Sequence, residues 1–267
     1  MNLSIVLSVQ PAQFQAATFK GDLELNLRRI AELGYDGVEL AIRDPKLVDL
    51  DVLDELTKKY GLCVPAIGTG QAWGEEGLSF TDPDAAIRRL AIERIKSHIP
   101  GAFRFGAVII IGLIRGILKP GVDPRQADDW LVGALRECCQ AARPHNVRLA
   151  LEPINRYETT LINTVAQGLE LIERVGYGNF GLLLDTFHMN IEEPDILASI
   201  RSCGHHVFHF HVADSNRWYP GAGHLDFQLI LKTLFDSGYP SWVSGEFLPK
   251  PDAEGAAREG ISFLRRI

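Results

Sequence analysis

Eight short apolar runs recur along the chain, each followed by a stretch of helical periodicity. This alternation limits the fold more than any other feature. The runs are residues 3–9 (LSIVLSV), 36–42 (DGVELAI), 62–68 (LCVPAIG), 107–114 (AVIIIGLI), 148–154 (RLALEPI), 180–187 (FGLLLDTF), 206–213 (HVFHFHVA) and 241–247 (SWVSGEF). They are rich in Val, Ile, Leu and Phe, as strands buried on both faces are. Between them, residues 22–33 place Leu23, Leu27 and Ile30 on one helical face before Gly34, and residues 163–175 repeat the pattern before Gly176. Pro83 fits the first position of a helix running through AAIRRLAIERI. Eight strand–helix units in 267 residues predict a single (β/α)8 TIM barrel spanning 1–267, with a doubly wound sheet as the alternative. No linker, charge block or low-complexity tract marks a second domain.

The bulk properties narrow the function. A net charge of −7 argues against sequence-independent nucleic-acid binding, which needs a basic stripe, but leaves room for an anionic small molecule met by a local Arg. MNLSIVLSV has neither a basic n-region nor a small-residue cleavage site, so no signal peptide is expected. No apolar stretch approaches the roughly 20 residues of a membrane span. Cys63, Cys138, Cys139 and Cys203 show no CxxC spacing; core thiols in a reducing cytoplasm are expected.

The last four runs carry the chemistry. The fifth ends in LALEPI with Glu152, the sixth in LLLDTF with Asp185, the seventh in HFHVAD with His211 and the eighth in VSGEF with Glu246. Any one of these alone reads as structural, for instance as a carboxylate capping the next helix. In a barrel, however, adjacent strand ends converge on one mouth. Three carboxylates and one imidazole suit one divalent ion of intermediate hardness, Mn²⁺ or Co²⁺ before Mg²⁺ or Zn²⁺. Further polar residues crowd the same rim: Arg43 after the second run, Gln71 after the third, Arg115 after the fourth, Asn155, Arg156 and Glu158 after the fifth, His188 after the sixth, and Asp214, Asn216 and Arg217 after the seventh. His209 shares the parity of His211 and reads as a hydrogen-bonded interior histidine.

LEPINRYET, INT, LLLDTFHMNIEE, HFHVADSNRWYPGAGHLDF and VSGEF resemble the sugar isomerase/epimerase group with xylose-isomerase-like barrels, ketose 3-epimerases included. AIRDP, AIGTGQAW and IIGLIRG are more similar to its 5-keto-L-gluconate epimerases than to the free-ketose enzymes. The resemblance implies a divalent metal held by Glu152, Asp185, His211 and Glu246. It also implies substrate contacts by Glu158, His188 and Arg217, and a homo-oligomer, dimer or tetramer. The implied reaction inverts the carbon next to the ketone of a sugar or sugar acid through an enediolate. Glu152 and Glu246 would then exchange the proton on opposite faces. For a keto acid, Arg43 or Arg115 would take the carboxylate through a bidentate fork, unless both are ordinary rim ion pairs. Gln71 is placed among the substrate contacts. Aldose–ketose isomerisation and keto-inositol dehydration use the same metal set. An endonuclease barrel is disfavoured, because its extra His ligands are missing from AIGTGQ and IIGLIRG, and a non-catalytic binding barrel is disfavoured by retention of all four ligands.

Overall fold

In the first strand, β1 (Asn2–Ser8), Leu3, Ile5 and Leu7 alternate with Ser4, Val6 and Ser8, and the two sets face different surroundings. The leucines and isoleucine join a 60-residue apolar cluster shared with the helices. The other parity points to the interior of a closed sheet. The same division runs through β2 (Gly37–Ala41), β3 (Ala66–Gly68), β4 (Val108–Ile111), β5 (Leu149–Leu151), β6 (Phe180–Asp185), β7 (Val207–Val212) and β8 (Trp242–Gly245). The computed structural model describes all 267 residues. Each strand pairs in parallel with its neighbour in sequence, and β8 pairs with β1, so the sheet closes into the expected (β/α)8 barrel. A two-residue strand, Phe19–Lys20, pairs with the end of β1 from outside.

The barrel interior is chemically lopsided. Ala66, Val108, Ile110, Ala150 and Leu183, from β3 to β6, form their own small apolar cluster. On the other side most of the buried inward residues are polar: Ser4 on β1, Glu39 on β2, His209 and His211 on β7 and Ser244 on β8, with Val6 on β1 and Ala41 on β2 the apolar members nearer the mouth. A bulge between Leu182 and Leu183 brings Leu183 opposite His209 and Asp185 opposite His211.

Helix caps confirm the punctuation read from sequence. Asp22 caps the helix Leu23–Glu32, and Gly34 turns the chain with φ +90°. Thr164 and Gln167 form a reciprocal capping box for Val165–Val175, which Gly176 ends in the left-handed region. Three expectations change. The helix after Pro83 starts later, at Ala85, because the Asp84 side chain caps it by accepting from the Ala86 amide. The third strand is shorter than expected, since Pro65 has no N–H for the ladder and only Gly37 and Cys63 bridge below it. Cys63 is exposed, whereas Cys138, Cys139 and Cys203 are buried as expected. No helix is long and apolar enough to cross a membrane.

Candidate active site

The ends of β5 to β8 deliver their side chains to one point. Glu152 follows β5 directly and Glu246 follows β8; Asp185 is the last residue of β6 and His211 the penultimate residue of β7. Each offers one donor atom, and the four atoms lie within 4.8 Å of one another. His211 Nδ1 is 3.8 Å from Asp185 Oδ2, 3.8 Å from Glu246 Oε2 and 4.0 Å from Glu152 Oε1. Those gaps are too long for hydrogen bonds. They are about the separation of two donors on one ion with arms of roughly 2.1–2.3 Å.

The hydrogen bonding supports a metal in the same place. Glu152 Oε1, Asp185 Oδ2 and His211 Nδ1 are buried and have no hydrogen-bond partner. Buried polar atoms are normally paired, so three unpartnered donors facing one another fit a shared cation. Asp185 divides its two oxygens: Oδ1 caps the following helix by accepting from the Phe187 amide at 2.7 Å, and Oδ2 is left for the cluster. Both readings of a strand-end carboxylate thus apply to one residue. Burial and the Glu246 charge raise Glu152 well above the usual carboxylate range. Burial pushes Glu246 up to about 7, against His211 and Arg217. Burial also works against ionisation of Asp185, but His188, His211 and Arg217 prevail and hold it well below its ordinary value. The donor set fits a divalent cation that would offset this crowding of acids.

A neutral donor stands beside the cluster. His188 is buried, and its Nδ1 lies 2.8 Å from Asn155 Nδ2, which also donates to Glu158 Oε1 at 2.8 Å. An amide nitrogen can only donate, so Nδ1 accepts and the imidazole proton sits on Nε2. That Nε2 is 3.5 Å from Glu152 Oε1. Burial, reinforced by Arg217 and Arg115, lowers the His188 pKa to about 3 despite Asp185, so the ring is neutral. Arg217 donates from Nη2 to Glu246 Oε2 at 2.9 Å and from Nη1 to Glu158 Oε1 at 3.3 Å. Its backbone adopts φ +61°, a costly choice for a non-glycine residue. The surrounding loop holds it there: the buried Asp214 carboxylate accepts from the amides of Ser215, Gly221 and Leu225, and Leu248 N–H donates to the Arg217 carbonyl.

Glu152, His211, Glu246 and Arg217 line a cavity of about 310 Å³. Of the expected substrate contacts, Glu158, His188, Arg217 and Gln71 line it, whereas Arg43 and Arg115 do not. Arg115 is fully buried, and its guanidinium donates to the carbonyls of Gly112, Leu161, Ile162 and Glu152, with no N–H fork left over for a carboxylate. Arg43 lies 3.3 Å from Glu76, as an ordinary rim ion pair. Both placements correct the carboxylate-binding expectation. The sequence reading missed Gln13, Phe14, Trp73 and Glu75, which close the cavity from the loops after β1 and β3, and it missed Glu39. Glu39 was nevertheless detectable, as the charge in the second apolar run that is flanked on both sides by apolar residues, Val38 and Leu40.

Residues 27–267 match the family model described as xylose isomerase-like TIM barrel. The chain belongs to this family. It is 33% identical over 235 residues to an L-ribulose 3-epimerase of Mesorhizobium japonicum, covering 87% of this chain and 78% of that one. It is 29% identical over 258 residues to a 3-dehydro-D-guloside 4-epimerase of Escherichia coli, covering 93% and 96%. A crystal structure of a Methylomonas D-allulose 3-epimerase with D-allulose superimposes with a TM-score of 0.85 at 25% identity, covering 100% of this chain and 96% of that one. These members of the xylose isomerase-like family are sugar epimerases.

Proposed function

We propose that this protein is a divalent-metal-dependent epimerase that inverts the carbon next to the ketone of a keto sugar. The observation that carries this reading is the convergence of Glu152, Asp185, His211 and Glu246, three of them with unpartnered buried donor atoms, beside a sugar-sized cavity that Glu152, His211 and Glu246 line. These four residues would hold the ion. When bound, a divalent cation supplies Lewis acidity that lowers the cost of charge on the ketone oxygen as the α-proton leaves; Mn²⁺ and Co²⁺ suit the donor set best.

Glu152 and Glu246 come from β5 and β8, which approach the cavity from different sides of the barrel. One carboxylate takes the proton from the substrate carbon, and the other returns one to the opposite face. Which acts first depends on the epimer bound. Asp185 and His211 have no proton-transfer role. His188 Nε2–H donates to a substrate oxygen beside the cluster, Arg217 donates to the neighbouring oxygen, and Glu158 accepts from a terminal hydroxyl.

Two substrate classes have support. Keto acids of the hexuronate type (5-keto-L-gluconate to D-tagaturonate) are favoured by where the distinguishing segments fall. Gly68, Thr69, Gly70 and Gln71 of GTGQA, and Gly112 and Leu113 of GLIRG, all line the cavity. Neutral ketohexoses of the tagatose and psicose type are favoured by charge. Arg217 is the one arginine or lysine in the lining, and it is already paired with two glutamates. In either case we place the enzyme in the cytoplasm as a dimer or tetramer with a small-molecule substrate, a state that size-exclusion chromatography with light scattering reads directly.

The deciding experiment strips metal with a chelator, restores Mn²⁺ or Co²⁺, and assays both classes in D₂O with product stereochemistry determined. Epimer formation with one solvent deuterium at the inverted carbon is expected. Formation of an aldose or a dehydrated product, or no turnover of either class with any metal, overturns the reading.

A further inference from the structure

Glu39 lies on β2, across the barrel interior from the strands that supply the ligand cluster. Its carboxylate is buried, and both oxygens reach His211: Oε2 is 2.9 Å and Oε1 3.1 Å from His211 Nε2. Oε2 also lies 2.8 Å from Nε2 of the buried His209. A carboxylate only accepts, so both imidazoles present Nε2–H to it. For a neutral imidazole, the proton at Nε2 leaves the lone pair at Nδ1. That nitrogen is the unpartnered atom facing Glu152, Asp185 and Glu246.

We propose that Glu39 is a positioning residue that fixes His211 in the tautomer able to ligate a metal through Nδ1, and that His209 holds Glu39 in place for that purpose. The proposal rests on the metal-binding reading of the site. It turns a charge buried in the barrel wall into part of the metal centre, because an outer carboxylate of this kind sets both ring orientation and ligand basicity. Glu39→Gln is the discriminating substitution. It preserves shape, yet because both Glu39 oxygens face His211, whichever one becomes an amide nitrogen sets an N–H against His211 Nε2–H. With the amide oxygen in the Oε2 place, His211 keeps one neutral acceptor instead of a carboxylate and is a less basic ligand; with the nitrogen there, its proton is driven to Nδ1, where it blocks coordination.

Two measurements test this. Calorimetric titration of the metal-free protein with Mn²⁺ is expected to show affinity lowered 10- to 100-fold in E39Q relative to wild type, with the metal-induced rise in melting temperature reduced to match. Wild-type affinity in E39Q overturns the proposal. Should E39Q fail to fold, the wild-type protein loaded with diamagnetic Zn²⁺ still decides. A long-range ¹⁵N–¹H spectrum is expected to place the His211 proton on Nε2, and a proton on Nδ1 overturns it. Absence of Mn²⁺ binding by wild type would instead refute the metal site itself, and with it the proposal.

Discussion

Arg217 bridges two carboxylates, donating to Glu246 at 2.9 Å and to Glu158 at 3.3 Å. It therefore ties a candidate metal ligand to a second carboxylate that lines the cavity. Arg217→Met is expected to lower kcat/KM by about 10²-fold or more, the usual cost of removing one donor aimed at developing charge. Steady-state kinetics on the metal-loaded protein checks this, with circular dichroism verifying the fold. Arg217→Lys should recover only part of the loss, because an ammonium cannot span both glutamates with a planar fork.

Replacing either proposed acid–base residue by its amide keeps an oxygen for the metal but removes the proton shuttle. Glu246→Gln and Glu152→Gln are each expected to lose 10²- to 10⁴-fold in kcat. Metal content, measured on the same samples, separates lost ligation from lost proton transfer. Full activity in metal-replete E246Q would remove Glu246 from the mechanism.

Metal affinity should depend on pH in a defined direction. Burial and the neighbouring carboxylate raise Glu152, and burial pushes Glu246 to about 7 in the metal-free protein. Below pH 7 Glu246 carries a proton that the metal must expel, and the raised Glu152 acts in the same direction, so affinity falls as pH falls and rises as pH climbs through 7. Each proton released steepens the dependence by about tenfold per pH unit. Titrations at pH 6 and pH 8, in buffers of different ionisation enthalpy, count the protons. Identical affinity at the two values contradicts the assignment.

Arg115 should matter for stability and not for substrate choice. Its guanidinium satisfies carbonyls of Gly112, Glu152, Leu161 and Ile162 in a fully buried position. Arg115→Met strands those acceptors, each costing about 1–3 kcal/mol when left unpaired. Chemical denaturation should show a loss of several kcal/mol, with any fall in activity the same for keto acids and neutral ketoses. A loss confined to keto acids would restore the carboxylate-binding role.

What the sequence revealed, and what it hid, follows from geometry. The clustering of the four candidate ligands was legible because a barrel brings consecutive strand ends together, so a one-dimensional spacing becomes a three-dimensional cluster. His188 and Glu158 were legible through motifs that sit immediately after those strands. Arg43 and Arg115 were left with two readings because a loop arginine has no spacing rule: its partner is set by tertiary packing, here Glu76, the rim ion pair allowed for, in one case and backbone carbonyls, which neither reading named, in the other. Glu39 escaped for a different reason. The second run was read as wall, yet the alternation Val38–Glu39–Leu40 already turned its charge inward.

The cavity has two authors along the chain. Its candidate metal-binding and proton-moving groups, from Glu152 to Glu246, come from the second half. Much of the opposing surface, from Gln13 and Phe14 to Gln71, Trp73 and Leu113, comes from the first. The halves can therefore change at different rates. Loops after β1, β3 and β4 can be remodelled to admit another sugar while the reactive floor stays intact, and transplanting those loops between relatives is the natural way to exchange one substrate for another.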